Sequence, residues 1–307
     1  MDLISQVTAL GGVCDRATLV RLRSAVEVDA ALLDGILERD APGRYALPTT
    51  PPALRTANGV AGILSHRSAA QYWGWAQKAP PPLPEVTFPR NRRVERRLRV
   101  ILVPHWCELG PDDVEGPVTS QVRTLVDCMR NLPWDEAVAI VNSAVRADDF
   151  TQAEVQQIAE QTRGRGRRRI CEVAAAVTGQ CANPLESVLY AQALLIPGLN
   201  VVPQLSVPVD GTTRTLHPDL ADPLLQLAIE AEGFGSHSTP AQLTSDCRRH
   251  NVFAVLGWYV IRFSWWQVMH EPAYVQRVLI EAVALISADR HSRSHRLPAL
   301  PGHANVA

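Results

Sequence analysis

Residues 216–237, LHPDLADPLLQLAIEAEGFGSH, constrain the fold more than any other stretch of the chain. Asp222-Pro223 supplies turn chemistry between an extended segment ending near Ala221 and a second from Gln226 to Glu232, so the spacing predicts two strands joined by a tight turn. Along the second strand the period of two places Glu230 and Glu232 on one face. Leu227, Ile229 and Ala231 take the other, which is apolar enough for core. A loop centred between Leu224 and Leu225 sets Asp219 opposite Glu230, so three carboxylates share one sheet face. At about 4 Å and an effective dielectric of about 20, each like-charge pair costs roughly 4 kcal/mol. Such a cluster must protonate, stay solvated or hold a cation, and a hard cation with oxygen ligands, Mg²⁺ or Mn²⁺, is the natural choice.

The remainder of the chain reads as a soluble, cytoplasmic protein of two or three domains, α/β in its parts and α+β overall. Hydrophobic residues make up 46% and charged residues 20%, enough to bury real cores. A net charge of −1 gives no whole-protein attraction to nucleic acid, so any DNA contact must come from local clusters. Lys78 is the single lysine among thirty basic residues; the rest are arginines. The six cysteines form no Cys-x-x-Cys pair, no signal peptide is visible, and the longest apolar run, 252–261, is far short of a membrane span.

Residues 1–50 read as three helices and a hairpin. The first helix stops at Gly11-Gly12, Asp15 caps the second, Asp29 caps a third through Leu37, and Pro42-Gly43 turns a hairpin. Helix, helix, helix, wing serves DNA docking and protein docking alike. If it docks in a major groove, the third helix reads bases, though Glu27, Asp29, Asp34 and Glu38 make that helix and its approach acidic. Residues 51–165 follow a proline-rich connector as a small α/β domain. In it Ser65-His66-Arg67-Ser68 opens a helix, and Glu85–Phe88 and 98–103 alternate like paired strands with six arginines, Arg90 to Arg99, at the turn between them. Helices then start at Thr119-Ser120, Pro133 and Thr151. Both regions together resemble the AbiEi family of type IV antitoxins, which implies a winged-helix module that contacts DNA or a protein partner.

Residues 162–169, TRGRGRRR, read as a flexible basic linker whose Arg163, Arg165, Arg167, Arg168 and Arg169 lie along a phosphate backbone or keep the link soluble. The third domain spans 170–286. Asn183 is an N-cap with Pro184 at the first helical position and Glu186 three after the cap, where a capping-box glutamate would stand. Strands are expected at 201–209 and around the central hairpin, then a helix from Thr239-Pro240 to Leu256 bearing Arg248 and Arg249, a strand at 258–263 and a closing helix at 272–286. Residues 287–307 read as a disordered tail.

Asn183-Pro184-Leu185-Glu186, Pro218-Asp219, Glu230-Ala231-Glu232-Gly233 and His237 resemble the site of the restriction-endonuclease-like PD-(D/E)xK superfamily. The likeness is to its branch similar to very-short-patch-repair endonucleases, which includes a large bacterial family of unknown function. Two positions depart from that branch: Glu232 stands where Asp is usual, and Ser236 where a first His is frequent. The resemblance implies a mixed sheet flanked by helices and Mg²⁺-dependent phosphodiester hydrolysis on DNA. Asp219 and Glu230 are then the metal ligands, Glu232 or His237 orients the attacking water, Glu186 stands in the outer shell, and Arg248 and Arg249 flank the nucleic acid. The alternative expectation is an antitoxin-type DNA-binding regulator whose nuclease-like domain is inactive, with a protein or a second copy of the chain as partner.

Overall fold

Helix caps written into the sequence set the opening elements. Asp2 accepts from Ser5 N (2.7 Å) to start Leu3–Ala9, and Asp15 accepts from Thr18 N (2.8 Å) to start Arg16–Leu22. The third helix, Ala25–Leu33, is capped by Ser24 in a reciprocal box with Glu27, not by Asp29. Ser24 has a glutamate three residues on, and that second hydrogen bond decides between the two. Asp29 lies inside the helix and pairs with Arg16 at 3.0 Å. The hairpin Glu38–Ala41 and Arg44–Ala46 turns at Gly43, whose φ of 72° suits glycine. It joins Val13–Asp15 in an antiparallel sheet with Arg44–Ala46 in the centre. Val7, Leu19, Val28, Leu37 and Tyr45 close the core between helices and sheet.

The computed structural model describes residues 2–209, 214–233 and 240–294. The chain is mixed α+β and divides into two units, Met1–Gly179 and Gln180–Ala307. The first unit contains, besides the opening elements, a five-stranded sheet in the order Val103–Trp106, Glu85–Phe88, Ile63–Leu64, Val118–Thr119, Val114–Glu115. Glu85–Phe88 pairs in parallel with Val103–Trp106, so the expected hairpin is absent. A parallel partner requires a crossover, and residues 89–102 provide it with a 3₁₀ turn at Arg96–Val100. Leu102 is fully buried, and Leu98 packs against the same core.

Four helices follow: Gln121–Asn131, Trp134–Arg146, Gln152–Gln161 and Arg167–Ala176. Ser120 and Thr151 cap the first and third as expected. Lys78 pairs with Asp135 at 2.7 Å. The basic linker is shorter than expected, because Arg167, Arg168 and Arg169 form the first turn of the last helix. Burial of Ile170, Val173 and Ala174 extends the helix into the arginine run.

The second unit has a four-stranded sheet, in the order Tyr259–Ser264, Leu227–Glu232, Leu220–Asp222, Val202–Pro203, and a separate pair, Val207–Pro208 with Thr215–Leu216. Only Tyr259–Ser264 and Leu227–Glu232 run parallel. The expected strand at 201–209 is broken by Gln204, whose φ is 52°. Pro184–Ala193, Pro240–Val255, Trp265–His270 and Pro272–Ser294 are helical, so helix replaces the expected tail through residue 294. No helix among the described residues is long and apolar enough to cross a membrane.

Gly62 tests the packing of the first unit. A Cβ there would run into Val86 Cγ1 and come within 2.9 Å of Phe88 Cε1, both on buried side chains. Gly62→Ala is expected to cost about 1–3 kcal/mol, read as a lower midpoint in urea unfolding. An unchanged midpoint would contradict this packing.

Candidate functional site

A buried turn fixes the site of the second unit. Asp222 is fully buried; its Oδ1 accepts from Leu224 N and Leu225 N (both 2.9 Å) and its Oδ2 from Asn200 N (2.7 Å). The resulting register pairs Leu220 with Ile229, Ala221 with Ala228 and Asp222 with Leu227. Continued by one residue, it sets Asp219 across from Glu230, as the turn chemistry predicts. Asp219 Oδ2 then accepts from Ala231 N at 2.8 Å, tying the acid to the second strand.

Glu230 is 6% exposed beneath the helix Pro240–Val255. His250 Nε2 lies 3.2 Å from its Oε2, and Arg249 Nη2 lies 2.7 Å from its Oε1. That second approach is close enough for charge attraction yet misaligned for a hydrogen bond, and Glu230 Oε1 and Arg249 Nε are both buried without a hydrogen-bond partner. Arg249 is therefore turned inward, with its Nη2 also donating to His217 O (2.6 Å), while Arg248 is exposed on the same helix.

Glu186 has both roles open to it in the sequence. Its backbone N donates to Asn183 Oδ1 (3.0 Å), and its carboxylate accepts from Ala182 N, Asn183 Nδ2 and Gln204 Nε2 at 2.8–3.0 Å. It also stands near enough to Asp219 to act on its charge. Asp219 is pushed up to about 6, chiefly by burial and further by Glu186 and Glu230, against the pull of Ala231 N–H and Arg249. Glu232, at the end of the strand, pairs with Arg262, whose Nε lies 2.7 Å from Oε1. The crowded acids are thus Asp219, Glu230 and Glu186, with Glu232 set apart by its own cation. His237 lies outside the described residues.

Asp219 and Glu230 are both oxygen donors of the type a hard divalent cation takes, and one buried Glu230 oxygen lacks a hydrogen-bond donor.

The first unit holds a group the sequence analysis missed. His66, Glu85 and His105 bring their ligand atoms within 4.8 Å of one another, a spacing that could hold a metal ion. The sheet and the helix His66–Tyr72 create the juxtaposition, so no local spacing announces it. The imidazoles of His66 and His105 stack at 3.6 Å. His66 Nδ1 lies 3.0 Å from Ser65 Oγ and its Nε2 3.0 Å from Asn131 Nδ2. Glu85 receives Arg67 Nη1 at 2.8 Å on one oxygen and His105 Nε2 at 3.1 Å on the other. Burial opposes its charge, but these two hydrogen bonds prevail and hold Glu85 below the usual carboxylate range. The three side chains form a hydrogen-bonded network whose spacing also suits a metal ion.

Of the expected phosphate-contacting arginines, Arg163 and Arg165 lie exposed on the loop before the last helix of this unit. Arg168 pairs with Glu172 at 2.8 Å, Arg169 donates to Leu132 O, and Arg167 is exposed.

His66 makes the network sensitive to acid. Burial first, and then His105 beside it, push its pKa down to about 4. The unfolded chain binds a proton near pH 6.5 that the folded chain refuses until about pH 4. This contribution to stability is therefore complete above pH 6.5 and is lost as pH falls toward 4, by about 3 kcal/mol in all. Urea unfolding of the parent and His66→Gln across that window should show the parent losing its relative advantage toward acid; a pH-independent difference would refute it.

No family model matches the chain. Two uncharacterized proteins of Mycobacterium tuberculosis, MT2308 of strain CDC 1551 / Oshkosh and Rv2248 of strain ATCC 25618 / H37Rv, are each 29% identical to it over 159 residues. The match covers 50% of this chain and 57% of each relative, so the chain spans less than two thirds of their length. Among solved structures, the RV2827C protein from Mycobacterium tuberculosis aligns over 67% of this chain and 86% of its own, with 16% identity and a TM-score of 0.31. A score that low supports no statement about a shared fold.

Proposed function

We propose that the chain is a divalent-cation-dependent phosphodiester hydrolase acting on DNA, with its reactive centre at Asp219 and Glu230. The observation that supports this reading is the placement of half-buried Asp219 across from buried Glu230, with Glu230 Oε1 left without a hydrogen bond. Asp219 and Glu230 would hold Mg²⁺ or Mn²⁺, which when bound polarises a phosphoryl oxygen and acidifies a coordinated water. Glu186 fixes the entry of its helix and adds negative charge behind Asp219. His250, 3.2 Å from Glu230, is placed to hold a proton beside that carboxylate. Arg249 neutralises Glu230 in the present arrangement, and by releasing it the guanidinium would face the phosphate. DNA is the expected partner.

A second reading draws on the same ion pairs. Arg249 and His250 on Glu230, and Arg262 on Glu232, already partner two of the acids without a metal. On this reading the second unit is an inactive relative of a nuclease, and the protein is an antitoxin-type DNA-binding regulator using the helices and hairpin of residues 1–50, alone or with a protein partner.

Cleavage assays separate the two. On the first reading the protein nicks or cuts DNA with Mg²⁺ or Mn²⁺, and Asp219→Asn and Glu230→Gln each abolish it. Metal at about 100 times its dissociation constant should stabilise the parent by about 2.7 kcal/mol and leave both variants unmoved. Without metal, Asp219→Asn should be as stable as the parent or slightly more so, because it removes carboxylate repulsion. A parent that neither gains stability from either cation nor cleaves single- or double-stranded DNA would select the second reading.

A further inference from the structure

Two arginine-rich stretches far apart in the sequence meet at one cavity of the first unit. The cavity encloses about 620 Å³. Its most buried lining residues are Thr87 and Asp127, each 2% exposed, and His66, 3% exposed. Arg90 from the first stretch, and Arg163 and Arg165 from the second, line it at exposed positions. Gly164 and Gly166 adopt φ of 86° and 81°, and a Cβ on Gly166 would come within 2.9 Å of Arg130 Cγ. Only glycine lets the second stretch lie this close over Arg130.

The charge on this lining is one-sided. Arg123 and Arg130 also face the cavity, and Asp127 is its one carboxylate. Asp127 is already committed, 2.8 Å from Arg123 Nε and 3.5 Å from Arg130 Nη1. Arg90 and Arg165 make no ion pair among the described residues, Arg163 reaches only the carbonyl of Glu160 (2.5 Å), and Arg130 Nε is buried without a hydrogen-bond partner. Guanidinium groups held in this way are matched by the several oxygens of a phosphate, which accept paired N–H donors.

Size and one further side chain narrow the ligand. The volume exceeds what inorganic phosphate needs, and Trp106 on the lining is 41% exposed, with its Nε1–H fixed on Arg92 O at 2.9 Å. Arg99 lies over one face of the indole, 5.7 Å from the ring centroid, and the other face is the stacking surface for a base. With Thr87, Asp127 and His66 buried on the lining, the arginines at its exposed positions are the ones left to meet a phosphate.

We infer that this cavity is a phosphate-recognition pocket for a phosphorylated nucleotide, either free or at the end of a nucleic-acid strand. Arg90, Arg163 and Arg165 grip the phosphate, Arg130 adds positive charge from the wall, and Trp106 supports the base. Neither Asp219 nor Glu230 is among its lining residues.

The test uses the full chain in EDTA, so that cleavage at the other site cannot intervene. Fluorescence anisotropy compares one short single-stranded oligonucleotide with a 5′-phosphate, a 3′-phosphate or hydroxyl ends, at ~0.15 M salt. A phosphorylated end should bind about tenfold or more tighter than hydroxyl ends, the worth of charge-assisted hydrogen bonds to a single group. Arg165→Ala and Arg90→Ala should each remove most of that preference. Arg97→Ala, on the first stretch but paired with Glu95 and off the cavity, should leave it intact. Competition by adenosine monophosphate would identify free nucleotide as the source, whereas binding confined to phosphorylated oligonucleotides would identify a strand end. Equal binding of phosphorylated and hydroxyl ends with no competition by the mononucleotide would overturn the inference. So would an Arg97→Ala loss equal to that of Arg90→Ala, which would show only diffuse attraction to the backbone.

Discussion

The geometry of the second unit depends on one buried carboxylate that takes no part in the proposed chemistry. Asp222 accepts three backbone N–H groups, two from its own turn and one from Asn200. Together they bind hairpin and preceding loop into one register. A slip of one residue in a strand pair moves every side chain to the opposite face. Glu230 would then exchange places with Ile229 or Ala231, and Asp219 would face an apolar neighbour. The acid pair thus rests on a third acid whose two oxygens are held by backbone N–H groups.

Both units bury a glutamate on a sheet and answer it with one arginine and one histidine. Glu85 receives Arg67 and His105, while Glu230 receives Arg249 and His250. The difference lies in alignment. Around Glu85 both contacts are hydrogen bonds, and Arg67 is itself tied to Glu136, so the network is closed. Around Glu230 the arginine is near but misdirected, and two buried polar atoms lack partners. A closed network chiefly fixes structure, whereas an incompletely satisfied one retains capacity for a ligand.

What could be read from the sequence divides along the same line between local and distant contacts. The turn at Asp222-Pro223, the pairing of Asp219 with Glu230 and the caps at Asp15, Ser120, Thr151 and Asn183 arise from residues a few positions apart, and all are present. Ser24 was equally local; its glutamate at Glu27 distinguishes it from Asp29 as the cap. The parallel pairing of Glu85–Phe88 with Val103–Trp106 was not legible, because alternation in a strand is silent about direction. Nor could spacing show that His105 would stack on His66, or that Arg249 would turn onto Glu230 instead of outward with Arg248. Those contacts depend on how elements pack, and each changes the chemical reading of the residue involved.

The near absence of lysine has a consequence for how this molecule responds to chemistry. Guanidinium groups stay charged well above pH 11, so the positive side of the surface is effectively fixed over the alkaline range in which ammonium groups would discharge. Acylating agents that strip charge from lysine-rich proteins would have one side chain to attack, Lys78, and it is mostly buried and held by Asp135 at 2.7 Å. Amine-directed cross-linkers would accordingly return almost no distance restraints from its side chains, while carboxylate- and arginine-directed reagents would report on the surfaces where the charge lies.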